Sequence, residues 1–470
     1  MTESLTVPGL SDDENRTLNS LAAQLDAKSK RNRLRSNIYD GKRAVKQLGT
    51  VIPAQYTRLA QVLGWGAKGV DGLARRCNLD SMSWTGGDLD SIGMQELADS
   101  NFLFSELAQG RTDSLLHGVS YLVTTRGAAG EPKALVHARD GLNATGTWNP
   151  RRRGLDDFLS VTARKDNKIT GFVLYLDGET ISAEKDGSRW AVDRSEHDLG
   201  VPVDPLVYRP RSSRRMGRSR LTRPSIGILD AALRAVVRLE AHMDIYAIPK
   251  LIVLGADEGI FKNADGSPKT SWQVILGRSF GIPDDDDAAQ PRADVKQFSA
   301  ESPEPHLAHL NALAKLEARE FDLPDSDFAL TDMANPTSAD AYNASRENLI
   351  AEAEGAMDDW SVPIRRTVAR ALAIQNDEDP ARFAAIKPKW RSPIYLSRAA
   401  QADAGAKQLS VVPWLAETKV GLELLGLDDS QIERALDERR RNAGRAVVAA
   451  ALAQRTQPAP TAEQTDANTQ

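Results

Sequence analysis

The sequence predicts an α+β protein in which helices outweigh strands. Three observations predict it. Apolar residues recur at helical spacing near both ends, the middle alternates apolar and polar residues in short runs, and two long helical stretches flank a brief β-like insertion. With 41% hydrophobic and 27% charged residues among 470, the chain is composed like a folded protein of several domains. Disorder throughout and collagen-like repeats are excluded.

From the start, residues 12–48 read as helix, because Leu18, Leu21, Leu25, Leu34 and Ile38 recur at near-helical spacing. A basic run, Lys28, Lys30, Arg31, Arg33 and Arg35, is interleaved with them. Further helical patterns cover about 53–62, 66–76 and 93–117. From Val119 to Tyr208 the period becomes two, in runs such as VSYLVTT, ITGFVLYLD and SRWAVDR, with Asp177-Gly178 and Asp186-Gly187 as turns. That pattern predicts an antiparallel sheet of sequential hairpins rather than a βαβ array.

Helical spacing returns over Ser225–Ile245, with Leu229, Leu233, Val236, Val237 and Met243 on one face. Two short strands (PKLIVLG and SWQVILG) and the acidic turn Asp284–Asp287 follow. A second helix, about Pro305 to Phe321, carries Leu307, Leu310, Leu313 and Leu316. The two helices predict an antiparallel pair with the β insertion at its tip. Past the acidic loop Asp322–Asn335, Thr337 or Ser338 is an N-cap for a long helix towards Ile374, with kinks expected at Gly355 and Pro363. Residues 382–398 read as a strand region around Trp390, 400–454 as helix, and 455–470 as a disordered tail.

The chain shows no familiar catalytic apparatus. Gly64-Trp65-Gly66-Ala67-Lys68-Gly69 spells a dinucleotide fingerprint, but it follows a helical pattern and lies in no βαβ unit, so a glycine-rich turn between helices is expected. Gly266-Ser267-Pro268-Lys269-Thr270 has the wrong spacing for a P-loop. His306 and His309 lack a third ligand in register, and the four aspartates lack the alternating spacing of a calcium loop. Cys77, the lone cysteine, is expected to pack as a small hydrophobe. No apolar run is long enough for a membrane span, and the acidic N-terminus does not read as a signal peptide. No catalytic residue, metal or cofactor is expected.

The charge is unevenly distributed. Lys and Arg number 60 against 65 Asp and Glu, a net of −5, which is unlike a general polyanion-binding protein. Yet Arg209, Arg211, Arg214, Arg215, Arg218, Arg220 and Arg223 crowd one acid-free stretch, while Glu304–Asp359 holds thirteen acids and three bases. Such segregation suggests surfaces with different partners. The arginines suit phosphate contact, or pairing with acids in the same fold or a neighbouring subunit; both readings stay open.

The order of elements resembles the portal proteins of tailed bacteriophages, of the siphophage type found in phages of actinobacteria. Five stretches carry the resemblance: Ala67–Arg76; Pro249–Gly255; Pro336-Thr337-Ser338-Ala339-Asp340-Ala341 through Arg346-Glu347; Lys387–Trp390; and Val412-Pro413-Trp414-Leu415 through Leu424-Leu425-Gly426. They occur in family order across about 15–445.

The resemblance implies a phage portal fold with an antiparallel β wing, long stem helices, a small β clip and a helical crown. Its implied parts are a wing over 1–217, stem helices over 218–246 and 303–322, a clip over 247–302 and a tunnel loop over 323–337. A kinked helix and wing return would occupy 338–399, and a crown 400–454. It further implies a ring, typically of twelve subunits, at one capsid vertex. The ring would be the conduit for double-stranded DNA in packaging and ejection, with the terminase large subunit, major capsid and scaffold proteins, and a head–tail adaptor as partners. The implied location is the virion, after assembly in the host cytoplasm, with no membrane contact. On that reading Asp325, Asp327, Phe328, Asp332 and Asn335 are the tunnel-loop candidates nearest the duplex. An acidic wall would repel DNA and let it slide, although the same acids could bridge to arginines of the next subunit. The alternatives are another virion connector or shell protein, or a DNA-processing enzyme.

Overall fold

The computed structural model describes residues 5–43, 63–246, 250–254, 262–269, 279–282, 294–298, 302–328, 346–395 and 398–455. The chain divides into two compact units, Met1–Pro393 and Ile394–Gln470.

Helix α1 (Asp12–Tyr39) opens with a capping box: Ser11 Oγ accepts from the Glu14 amide, and the Glu14 carboxylate accepts from the Ser11 amide. It stops at Tyr39 rather than residue 48, because the chain turns at Asp40 and Gly41, where φ is +66°. The pattern at 53–62 lies outside the described residues. Leu18, Leu21 and Leu25 are buried against the five-stranded sheet.

Helix α2 (Trp65–Ala74) contains most of the glycine fingerprint, which is therefore no turn. A Cβ at Gly66 would overlap the Ile38 side chain, and one at Gly69 the Phe321 ring, so these glycines permit close packing of a helix. The helix expected over 93–117 is two, α3 (Met94–Ser100) and α4 (Leu103–His117). Asn101 breaks it: the side-chain amide donates to the Leu97 and Ala134 carbonyls and its oxygen accepts from the Val136 amide, so it ties the chain to the neighbouring strand.

The hairpins expected over 119–208 are present, but in two sheets. Strand β2 (Val119–Arg126) lies between β3 (Ala134–Asp140) and β9 (Val203–Val207), antiparallel to both. Strands β4 (Ala144–Asn149), β5 (Gly154–Lys165), β6 (Lys168–Leu176), β7 (Glu179–Asp186) and β8 (Arg189–Glu196) form an antiparallel meander. The turn after Asp140, whose carboxylate accepts from the Asn143 amide, carries the chain from one sheet to the other. Tyr121 of the first sheet meets Phe158 of the second at 4.7 Å between ring centres, and Tyr175 continues the stack at 5.7 Å. Strand β1 (Leu79–Trp84) pairs antiparallel with β13 (Ile386–Trp390), so the strand region expected at 382–398 shrinks to five residues behind a 3-10 turn.

Helices α5 (Arg223–Tyr246) and α6 (Glu304–Glu320) run antiparallel. Thr222 Oγ1 donates to Glu320 at one end, while the His242 and His306 rings lie 5.0 Å apart at the other. Ala232, Ala235, Leu310 and Leu313 are buried between them. In the insertion, β10 (Lys250–Leu254) lies parallel to β11 (Ser279–Ile282) and antiparallel to β12 (Asp294–Phe298). The strand expected at 271–277 and the Asp284–Asp287 turn fall outside the described residues. Helix α7 (Glu347–Asn376) includes Gly355 and Pro363 and buries Leu349, Trp360, Ile364 and Leu372 in the main core. Trp360 Nε1 donates to Ser114 Oγ at 3.2 Å.

The second unit consists of α8 (Arg398–Val411), a 3-10 turn, α9 (Lys419–Leu424) and α10 (Asp429–Arg455). Val411, Trp414, Val420, Val447 and Val448 are exposed on it. The expected tail, beyond Arg455, is outside the described residues.

Candidate functional site

The chain leaves β9 through Tyr208, forms a hairpin holding the arginine run, and returns at Arg218. Arg211 and Arg214 pair backbone to backbone at its tip. The Arg218 amide donates to the Tyr208 carbonyl at 2.9 Å, and the Tyr208 amide to the Gly118 carbonyl at 3.0 Å. Gly217, at φ +65°, sits so close to both carbonyl oxygens that a Cβ would overlap them. The hairpin is therefore fixed at its neck.

Arg220 is buried and fully engaged. Its Nε donates to the Gly69 carbonyl at 2.7 Å, Nη1 to Tyr208 Oη at 3.2 Å, and Nη2 to the Phe321 carbonyl. Glu352, from α7, lies 4.0 Å away and accepts from Tyr208 Oη and from Arg209. Arg209 also lies 4.0 Å from Asp322. Burial, with Glu352 nearby, pushes the Tyr208 hydroxyl well above its usual range. This node clamps α2, α7, the end of α6 and the hairpin together. Among the described residues these two arginines thus pair with acids of the same fold.

The other five lie elsewhere. Arg214 and Arg218 face basic residues of α1. Arg215 lines a cavity of about 410 Å³ with Asp204, Asp359 and Arg366. Burial, then the charges of Asp358 and Glu352, raises the Asp359 carboxyl to about 6. Arg211 is exposed at the tip, and Arg223 is exposed at the start of α5.

At the base of the acidic loop, Asp325 and Asp327 belong to a 3-10 turn, with Asp327 3.8 Å from Arg346. Phe328 is buried: it stacks on Phe321 at 6.0 Å and meets Trp65 edge-on at the same distance, with Lys68 Nζ 5.9 Å from its ring. It plugs the junction of α2 and α6. Asp332 and Asn335 lie outside the described residues. One turn back on α6, Glu317 is buried with neither carboxylate oxygen hydrogen-bonded among the described residues, and burial followed by Glu320 raises it to about 8.

Sequence reasoning missed Glu352, which looked like one acid among thirteen, and nothing local marks it. It also did not join Lys28, Arg31 and Arg35 to the arginine hairpin, although their three- and four-residue spacing signals one helical face. Cys77 is buried, its thiol pushed up to about 12 by burial, so it is not an activated nucleophile. Among the described residues no group of three or more His, Cys, Asp or Glu is placed to hold a metal ion. No helix described is long and apolar enough to cross a membrane.

An antiparallel helix pair carrying a three-stranded insertion, with an aromatic plug where its second helix ends, is the α+β framework on which these residues stand. Residues 18–445 match the family model "Phage portal protein, SPP1 Gp6-like", and the chain belongs to that family. It is similar to the portal protein of Mycobacterium phage D29, 26% identical over 388 residues covering 80% of this chain and 78% of the relative. It is likewise similar to the portal protein of Mycobacterium phage L5, 25% identical over 390 residues covering 79% and 77%. A solved chain from "Neck of native GTA particle computed with C12 symmetry" aligns at 16% identity and a TM-score of 0.40, over 77% of this chain and 90% of that one. At that score the assignment rests on the sequence comparisons. The chain is a phage portal protein, of a structural family found in virions.

Proposed function

We propose that copies of this chain close into a ring, typically of twelve, at one capsid vertex, and that double-stranded DNA passes through the axial opening during packaging and ejection. The family match across residues 18–445 carries this reading. The stem supports it: Met243, Leu307 and Leu316 leave 45%, 36% and 49% of their surface exposed on two amphipathic helices, apolar area that a neighbouring copy would cover. The wing, stem, clip, tunnel-loop and crown ranges follow the boundaries given above. The tunnel loop would present Asp325, Asp327, Asp332 and Asn335 towards the duplex, with Phe328 anchoring its base. Like charge there keeps DNA from settling. The ring does no chemistry of its own; the terminase large subunit, capsid and scaffold proteins and a head–tail adaptor dock on it, after assembly in the host cytoplasm.

Immunogold labelling of intact virions tests this reading against a shell protein. The expected result is one cluster of label per particle, at the vertex that joins the tail. Label spread over the shell would refute it.

A further inference from the structure

Lys28, Arg31 and Arg35 occupy one face of α1, and the return limb of the hairpin brings Arg214 and Arg218 to the same place. These five cations line a cavity of about 180 Å³, with His117 beside them. Among the described residues, no Asp or Glu lines this cavity and none of the five cations has an ion pair. Arg31, Arg214 and Arg218 form an exposed rim, while Lys28 and Arg35 are half-buried.

The deeper groups are not satisfied. Arg35 Nε and His117 Nδ1 are buried without a hydrogen-bond partner among the described residues. Arg35 Nη1 donates to Asn32 Oδ1 at 3.2 Å, and His117 Nε2 lies 3.0 Å from Ser36 Oγ. Asp140, the acid that acts on His117, already accepts from the Asn143 backbone and side-chain amides. The cations also repel one another: burial, then Arg31, Arg214 and Arg218, lowers Arg35 to about 10, and burial lowers Lys28.

The walls cannot easily relax. Gly217 fixes the hairpin neck, Ser219 Oγ donates to the Leu116 carbonyl at 2.6 Å, and Asn32 Nδ2 to the Gly141 carbonyl at 2.8 Å, which pins α1. A concave cluster of like charges holding two unsatisfied donors, Arg35 Nε and His117 Nδ1, favours an anion that would offset its self-repulsion. A water occupies about 30 Å³ of liquid, so the space is large enough for a tetrahedral oxyanion and not merely for one solvent molecule. Arginine forks match phosphate oxygens, and a phosphate group offers more acceptors and more charge than one carboxylate.

We propose that this cavity is a phosphate-binding site built from Lys28, Arg31, Arg35, Arg214 and Arg218. The site stands independently of the portal reading. Its phosphate comes either from a free ion, seated at depth against Arg35, or from a nucleic-acid backbone reaching the rim.

The test is calorimetry and thermal denaturation of the full chain with inorganic phosphate and with pyrophosphate, against chloride at matched ionic strength. The expected result is saturable binding with stabilisation, and a dissociation constant raised at least tenfold in Arg35→Gln and in Arg218→Gln. Arg151→Gln, outside the cavity, should bind like the parent. Should Arg35→Gln fail to fold, the exposed Arg218→Gln still decides. Displacement of pyrophosphate by a short duplex would assign the backbone as source; undisturbed pyrophosphate binding would assign the free ion. No saturable response, or an undiminished response in Arg218→Gln, overturns the proposal. So does loss of self-assembly in the variants without any phosphate response in the parent, because the cavity would then take an acid from a second copy.

Discussion

Arg209 and Arg220, at the base of the hairpin, are tied to Glu352, Tyr208 and two backbone carbonyls, whereas Arg214 and Arg218 lie against other cations with no acid beside them among the described residues. Fewer than a dozen residues separate the two pairs. Residue type and local charge are the same, so the difference comes from what the fold brings opposite each side chain. The first pair holds the protomer together. The second offers charge to something outside it. The acids divide similarly: Glu352 is engaged on three sides, and Glu317 is buried with neither carboxylate oxygen hydrogen-bonded among the described residues.

Mutations can break this contrast. Arg220→Met removes the cation while leaving Glu352 and two carbonyls without it, and should destabilise the chain by about 3–5 kcal/mol in urea unfolding. A loss below about 1 kcal/mol would mean that the node is not what holds these elements. Phe328→Ala opens the plug between Phe321 and Trp65, at a cost of about 3 kcal/mol. An unchanged midpoint would show Phe328 free of that packing.

Glu317→Gln should act in the opposite direction. Burial raises this carboxyl from its ordinary 4.5 to about 8, so the folded state holds its proton over a range where the unfolded state has lost it. Stability therefore falls as pH rises from about 4.5 to 8 and levels beyond. The variant should flatten that slope and add about 2 kcal/mol at pH 8. A retained slope would move the titration to another group. Smallest of all, Arg214→Gln with Arg218→Gln should leave unfolding within about 0.5 kcal/mol of the parent, because neither has an acid partner among the described residues. A large loss would erase the contrast with Arg220.

Periodic features were legible from sequence. The α1 stripe of Leu18, Leu21 and Leu25 is buried as its spacing requires, and the alternating runs of 119–208 are strands. The antiparallel pairing of α5 with α6 was legible too, although Leu307 and Leu316 of the predicted stripe are exposed. The remainder depends on contacts distant in sequence. Phe328 sits in an acidic loop, and its packing on Phe321 and on Trp65, far upstream, makes it a core residue. The pairing of β1 with β13 spans roughly three hundred residues, and no local pattern encodes it. Likewise the α1 cations were visible as a basic run, but not their meeting with Arg214 and Arg218. Local periodicity sets elements, whereas partners are set by the fold.

The most direct measurement is native mass combined with electron microscopy of the purified full-length protein. The portal reading predicts a ring with an axial opening and a mass near twelve times 51.2 kDa. A compact protomer that stays closed to self-association at high concentration and hydrolyses ATP or cuts DNA would contradict it.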